Sequence, residues 1–396
     1  MRLPSSISFW ALALTVPLGL VVAAPARPSP NGETNHRRTV FFVGGQYVFN
    51  ETTKSTYAVD QMYVEQLTPE RGVRQPHPLI FLHGGGLTGV TWLNTPDNRK
   101  GWASYFLEKG YLVHLVDITN VGRSSRPPST QSYLPTSVES AEQVFASPEK
   151  FPKTYPQARL HTQWPGRGLR GDPIFDTWYK GIGPNLVDNE REEESTTAAL
   201  CSLLAQIGPS YIFSHSYTGI IMFVAADRCP ELIQGLYGVE PAAFPFESRY
   251  IFNQPIPSRK WGITDVPVTY DPPVRDPAAD LKKITVGENT PGNVSCILQA
   301  APAKRLVNIS KVPVAMYTAE ASIHIVNAHC LAAYLWQSGV SLDWILLAER
   351  GIRGNGHFSF LEKNNLEIAQ KVVLPWLQLQ SGPNGHKQKK PKAAES

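Results

Sequence analysis

An α/β fold, with a mostly parallel central sheet and helices on both faces, is predicted for this 396-residue chain by three observations. Short apolar runs bounded by turn residues recur at 78–82, 111–116, 233–239, 312–317 and 342–347, as buried parallel strands do. Helical stretches separate several of them, and strand–helix–strand at this spacing is a βαβ unit. The third observation is the stretch from Gly208 to Gly219. It runs from a helix-ending Gly-Pro through Ser210-Tyr211-Ile212-Phe213 into Ser214-His215-Ser216-Tyr217-Thr218-Gly219, and on into an apolar helix at 220–226.

Taken in order, residues 1–23 read as a secretory signal: Arg2, a mostly apolar run at 7–22, and the small residues Ala23 and Ala24. An uncleaved anchor is disfavoured by a run near the minimum spanning length and broken by Pro17. Residues 24–38 are a proline-rich polar leader expected to be disordered, and 39–380 form the folded domain. Strands are expected at 40–49 and 57–67, joined by the turn Asn50-Glu51-Thr52-Thr53-Lys54. The run at 78–82 ends in His83-Gly84-Gly85-Gly86. A helix follows over 101–109, then a strand over 111–116 that ends at Asp117.

From 120 to 188 the periodic pattern lapses into prolines and scattered aromatics such as Trp164, Phe175, Trp178 and Tyr179. A connection this long is functional when ordered, and it is read as an insertion. The helix at 189–207 opens with Glu190, Glu192, Glu193 and Glu194, which suits the positive end of a helix dipole better than a metal site. The strand at 233–239 delivers Glu240-Pro241. A second irregular insertion spans 244–310, followed by the strand 312–317, a helix at 325–337 and the strand 342–347. Gly354-Asn355-Gly356-His357 is a loop, 366–379 a closing helix with Pro375 near its end, and 381–396 a basic disordered tail. There are no internal repeats.

Apolar residues make up 42% and charged residues 18%, compatible with a large buried core. The net charge of +4 is partly carried by Lys387, Lys389, Lys390 and Lys392 in the tail. The nearly neutral body lacks the basic stripe of a nucleic-acid-binding domain. No later segment is long and apolar enough to span a bilayer, so no membrane partner is expected after signal cleavage. Cys201, Cys229, Cys296 and Cys330 form an even set with three connectivities, and an oxidising compartment favours disulfides over free thiols. The expected pairing is Cys201–Cys229 with Cys296–Cys330; the first pair would link the helices flanking the strand before Ser216. Sequons at Asn50, Asn293 and Asn308 are candidate glycosylation sites on surface loops.

A strand that ends in a small-residue turn around a serine, and opens directly into a helix, is the layout of a nucleophile elbow. With His83-Gly84-Gly85-Gly86 after one strand, His215-Ser216-Tyr217-Thr218-Gly219 after another and Gly356-His357 before a final helix, the chain resembles the α/β-hydrolase superfamily. Within it, the chain is similar to secreted esterases whose acid is a glutamate. The resemblance covers roughly residues 39 to 380 and implies the α/β-hydrolase fold. The order serine, acid, histidine agrees with the superfamily's.

A serine hydroxyl is a weak nucleophile until an imidazole takes its proton, and that imidazole needs a carboxylate to orient it. Ser216 is the candidate nucleophile and His357 the candidate base. His324 and His329 sit one strand too early, and His215 reads as a structural neighbour. The resemblance implies Glu240 as the acid, with Glu320 after the next strand as the alternative. A tetrahedral intermediate needs N–H donors, expected from Gly85 and Gly86 and from Tyr217. A phosphate loop is disfavoured by the missing Gly-Lys-Ser/Thr. The elbow departs from the usual pattern in one respect: Ser214 and Thr218 stand two residues either side of the serine, where glycines are usual, and Gly219 comes one step later.

The expectation is a secreted, glycosylated serine esterase acting on a small-molecule ester through an acyl-enzyme, with no metal or organic cofactor implied. The two insertions would cover the site, and their aromatics suggest an apolar acyl or alcohol group. Lactone opening or tailoring of a secondary metabolite on the same site is one alternative, and a catalytically silent binding protein is another.

Overall fold

The computed structural model describes residues 32–381 apart from 125–131, 152, 154 and 249–255. The expected signal peptide, the first part of the leader, and the tail from 382 onward lie outside the described residues. Strand β1 (His36–Asn50) begins within the stretch expected to be leader, because His36, Arg37 and Arg38 pair with Pro69, Thr68 and Leu67 of β2 (Ser55–Pro69). The chain continues through β3 (Leu79–Leu82), β4 (Val113–Asp117), β5 (Ser210–His215), β6 (Ile233–Val239), β7 (Val314–Thr318) and β8 (Leu342–Leu346). These eight strands form one sheet in the order β1-β2-β4-β3-β5-β6-β7-β8. β2 runs antiparallel to β1 and to β4, and every other pairing is parallel.

Alternate residues of the central strands feed two apolar layers. Ile80, Leu82 and Ile212 join Leu200, Leu203, Ile220 and Phe223 from the helices Asn189–Ile207 and Thr218–Arg228. Leu79, Phe81, Tyr211 and Phe213 enter the opposite layer with Trp102, Phe106 and Trp376. We call the helices α1 (Trp102–Glu108), α2 (Asn189–Ile207), α3 (Thr218–Arg228) and α4 (Ala328–Gln337). The last helical stretch runs as Asn365–Ile368, a π turn over Ala369–Val373, and Leu374–Ser381. Pro375 has no N–H to donate and its ring crowds the preceding turn. The widened turn just ahead of it lets the helix continue past the proline.

Cys201 on α2 is bonded to Cys229 just past α3, and Cys296 of the ribbon strand Cys296–Gln299 to Cys330 on α4. The second bond fastens segment 244–310 to α4. Among the described residues, no helix is long and apolar enough to cross a membrane.

The acidic start of α2 does more than match a helix dipole. Glu192 and Glu193 are buried, and Glu193 Oε2 accepts the main-chain N–H groups of Asp265 (3.0 Å) and Val266 (3.2 Å), pinning segment 244–310. Burial pushes each of the two carboxyls up to about 8. Such groups ionise near pH 4.3 when unfolded, so their contribution to stability is fully present below that value and is lost as pH rises through about 8. The melting temperature is therefore expected to fall on alkalinisation, with each group contributing up to ~1.4 kcal/mol per pH unit. Glu193→Gln should flatten the dependence, as read by melting curves from about pH 6 to pH 9.

Candidate active site

The chain passes from β3 through α1 to β4 on one side, then returns across β3 to β5 on the other. The carboxyl ends of β3 and β5 thus lie side by side where the strand order reverses, the position at which crevices open in such sheets. Gly84–Gly86 leaves the first of these ends and Ser216 the second.

Ser216 has φ +53°, the left-handed conformation that a serine adopts only when its surroundings hold it there. Its N–H donates to Val239 O (3.2 Å), while its carbonyl accepts from Gly219 (2.9 Å) and Ala242 (2.9 Å), so both arms of the turn are tied to neighbouring chain. The two non-glycine positions are accommodated specifically. Ser214 Oγ donates to Met222 Sδ (2.8 Å), and Thr218 Oγ1 closes back onto His215 O (3.1 Å). The close approach has moved to Gly219, where a Cβ would lie 2.5 Å from Pro241 Cβ. Gly219→Ala is expected to cost about 1–3 kcal/mol of stability. It should also reduce turnover, because Pro241 follows Glu240; melting curves and kcat on the same preparation test both.

Glu240 directly follows β6 in another left-handed conformation, φ +55°. Its Oε1 accepts the N–H of Ala319 (2.5 Å) and its Oε2 the hydroxyl of Ser322. Oε2 lies 3.6 Å from Nδ1 of His357, and both side chains are almost wholly buried. Glu320 is directed elsewhere: Oε1 accepts the N–H of Gly354 (2.7 Å) and Oε2 pairs with Arg353 (3.0 Å). Burial lowers His357 to about 3, leaving a neutral imidazole, the form that can accept a proton. Burial also raises Glu240 well above the usual carboxylate range, against the opposing pull of Ser322 and Ala319.

His215 and His324 surround this pair without replacing it. His215 Nε2 lies 3.1 Å from His357 O, so it supports the backbone of His357. His324 Nδ1 meets Glu240 O at 3.1 Å, with its ring 4.4 Å from that of His357. Phe145, from segment 120–188, stacks on the ring of His357 at 5.4 Å. His329 is further off, with Nε2 at Val294 O (3.0 Å).

The glycine loop is pinned by His83, to which the sequence motif assigned no role of its own. His83 Nδ1 lies 2.8 Å from Gly84 O and its Nε2 accepts the N–H of Ile118 (3.1 Å), which joins the ends of β3 and β4. Gly84, rather than Gly85 or Gly86, makes the closest approach to the serine: a Cβ there would sit 3.2 Å from Ser216 Cβ and clash with His215 Nδ1. Gly85 faces Asn185, and Gly86, at φ +71°, accepts the N–H of Gly183 (2.7 Å). Among the described residues, the N–H groups of Gly85 and Tyr217 have no main-chain acceptor outside regular elements.

Segments 120–188 and 244–310 pack against each other. Val144, Tyr155 and Ala158 of the first pack with Ile323 and Val326, and against the partly buried Val294 of the second. Glu240, His324 and His357 also have donor atoms within 4.8 Å of one another, a metal-like set. The two oxygens of Glu240 already accept protein hydrogen bonds, which suits a carboxylate aimed at an imidazole better than a ligand. Cys296, His329 and Cys330 cluster as well, but both sulfurs are spent in the disulfide.

The sequence is 41% identical over 353 residues to a probable secreted lipase, phiG, of a fungal species, spanning 89% of this chain and 93% of that protein. The chain belongs to the α/β-hydrolases. No family model matches the sequence. Among solved structures, this α/β-hydrolase superposes on a bacterial esterase with TM-score 0.58 and 23% identity, covering 90% of this chain and 99% of the other, a likeness of fold. Its two disulfides fit the oxidising compartment that the secreted relative's name implies.

Proposed function

We propose that this secreted ester hydrolase attacks a carboxylic ester with Ser216 and carries the acyl group on that oxygen. Ser216 Oγ bonds to the carbonyl carbon as His357 takes the hydroxyl proton. Glu240 orients His357 and stabilises the imidazolium that forms. The N–H groups of Tyr217 and of the Gly85–Gly86 loop receive the oxyanion, with Gly84 allowing the approach. The proton on His357 then leaves with the alcohol. Water, deprotonated by the same imidazole, attacks the acyl carbon, the carboxylic acid departs and Ser216 regains its hydrogen.

The observation that carries this reading is the apposition of Glu240 and His357 at 3.6 Å, at the switch point where Ser216 is held at φ +53°. Phe145, Phe244 and Phe358 around the two histidines favour an apolar acyl or alcohol group. Segments 120–188 and 244–310 act as insertions on one hydrolase domain. Asn50 and Asn293 suit glycans. Asn308 does not, because its Nδ2 already donates to Asp227 O (3.0 Å). A panel of p-nitrophenyl esters against lactones, each with and without fluorophosphonate, tests the proposal. Fluorophosphonate-sensitive ester cleavage is expected; activity on lactones alone would refute ester specificity.

A further inference from the structure

A second buried charge cluster lies behind the loop of His357, and the reaction just described does not use it. His161, in the first insertion, is 3% exposed and sits between two carboxylates. Its Nδ1 is 3.0 Å from Glu149 Oε2 and its Nε2 2.7 Å from Glu362 Oε1. Glu362 is fully buried and also accepts the N–H of Gly356 (3.0 and 3.1 Å) and the amide of Asn355 (2.7 Å). These are the two residues that precede His357. Glu149 lies on the short turn Pro148–Lys150, directly after the helical turn that presents Phe145 to His357. The backbone repeats the connection: Gly354 O accepts from Thr162 (2.9 Å) and Gln163 (3.2 Å), and Gln163 O accepts from Lys363 (2.9 Å).

We propose that Glu149, His161 and Glu362 form a positioning cluster that locks the first insertion to the His357 loop, so that its integrity governs kcat rather than substrate binding. The inference rests on His357 being the base. None of the three touches the reacting atoms; they act through Gly356, whose Cβ position would lie 3.0 Å from His161 Nε2. An imidazole can donate from both nitrogens only as the cation, and the Glu362 charge together with the bonds to both carboxylates raises His161 to about 9, against its desolvation. The other charged or titratable groups around the cluster are Lys150 at 3.8 Å from Glu149, Lys363 bonded to Thr162 O, and Arg99, whose guanidinium donates to Glu362 O (3.2 Å). Glu320 accepts the N–H of Gly354 (2.7 Å) and pairs with Arg353, the Tyr155 phenol donates to Ala321 O, and Glu240 and His357 feel the Glu362 charge. Because the folded-state value is raised, the stabilisation is fully present below about pH 6.5 and is lost as pH rises through about 9.

The test compares the full-length secreted protein with His161→Gln, Glu362→Gln and the double variant, at a temperature where melting curves and fluorophosphonate titration show all to be folded and their sites countable. Per titrated site, each single change is expected to lower kcat roughly 10- to 100-fold with KM within about twofold. The double variant should be no slower than the worse single variant. The alkaline loss of kcat near pH 9 in the wild type should disappear in His161→Gln. Glu362→Asp, which keeps the charge, should recover part of the rate. Unchanged kcat per titrated site, or a loss that follows only the folded fraction, overturns the inference and leaves the hydrolase reading intact. A wild type that fluorophosphonate does not label overturns both.

Discussion

Replacing Ser216 with alanine is expected to abolish fluorophosphonate labelling and to lower kcat on a simple ester by roughly 10⁴- to 10⁶-fold. The side chain is small and only partly buried, and the turn is held by its main chain, through Val239, Gly219 and Ala242. The alanine variant should therefore fold, with a melting temperature within a few degrees of the wild type. Alanine in a left-handed position costs about 1 kcal/mol, close to what serine already bears there. Whatever rate remains would come from the oxyanion donors and from binding alone. Labelling of the alanine variant equal to that of the wild type would show that another residue is the nucleophile.

The second large effect separates the two glutamates. Glu240→Gln is expected to reduce kcat by about 10³- to 10⁴-fold, because an amide nitrogen facing His357 Nδ1 favours the wrong imidazole tautomer. The amide oxygen can still accept from Ala319 or Ser322, so much of the local structure should persist. Glu320→Gln keeps an acceptor for Gly354 and gives up only the ion pair with exposed Arg353. A pair of that kind contributes about 0–1 kcal/mol, and the rate should fall less than ~10-fold. Measuring kcat for both variants alongside their melting temperatures distinguishes the roles. A larger loss from Glu320→Gln would reverse the assignment.

Much of the fold was legible because it is written in local pattern. The runs at 78–82 and 233–239 are mostly apolar on both faces, as a doubly covered parallel strand requires, and each became a strand of the sheet; 342–347, with exposed Asp343, became an edge strand. The elbow was legible for the same reason: a strand, a sharp turn and a helix are consecutive in sequence. The closing helix read at 366–379 runs through Pro375 as expected, with a π turn just ahead of the proline. The start of β1 was hidden by the polar His36-Arg37-Arg38, which enter the sheet through main-chain pairing, with Arg38 also paired to Glu65 of β2 (3.0 Å).

By itself, the sequence determined the α/β architecture, the serine turn, the glycine loop and the histidine that follows the last strand, because each depends on residues close together in the chain. Tertiary structure decided which carboxylate meets His357, that Gly84 makes the close approach to Ser216, and that Glu192 and Glu193 are buried rather than capping a helix in solvent. It alone brought Glu149 and His161 of the first insertion to Glu362, five residues past His357. Contacts between segments some 200 residues apart leave no periodicity to read. They depend on where the sheet places the loop ends, and on burial strong enough to change what a carboxyl or an imidazole can do.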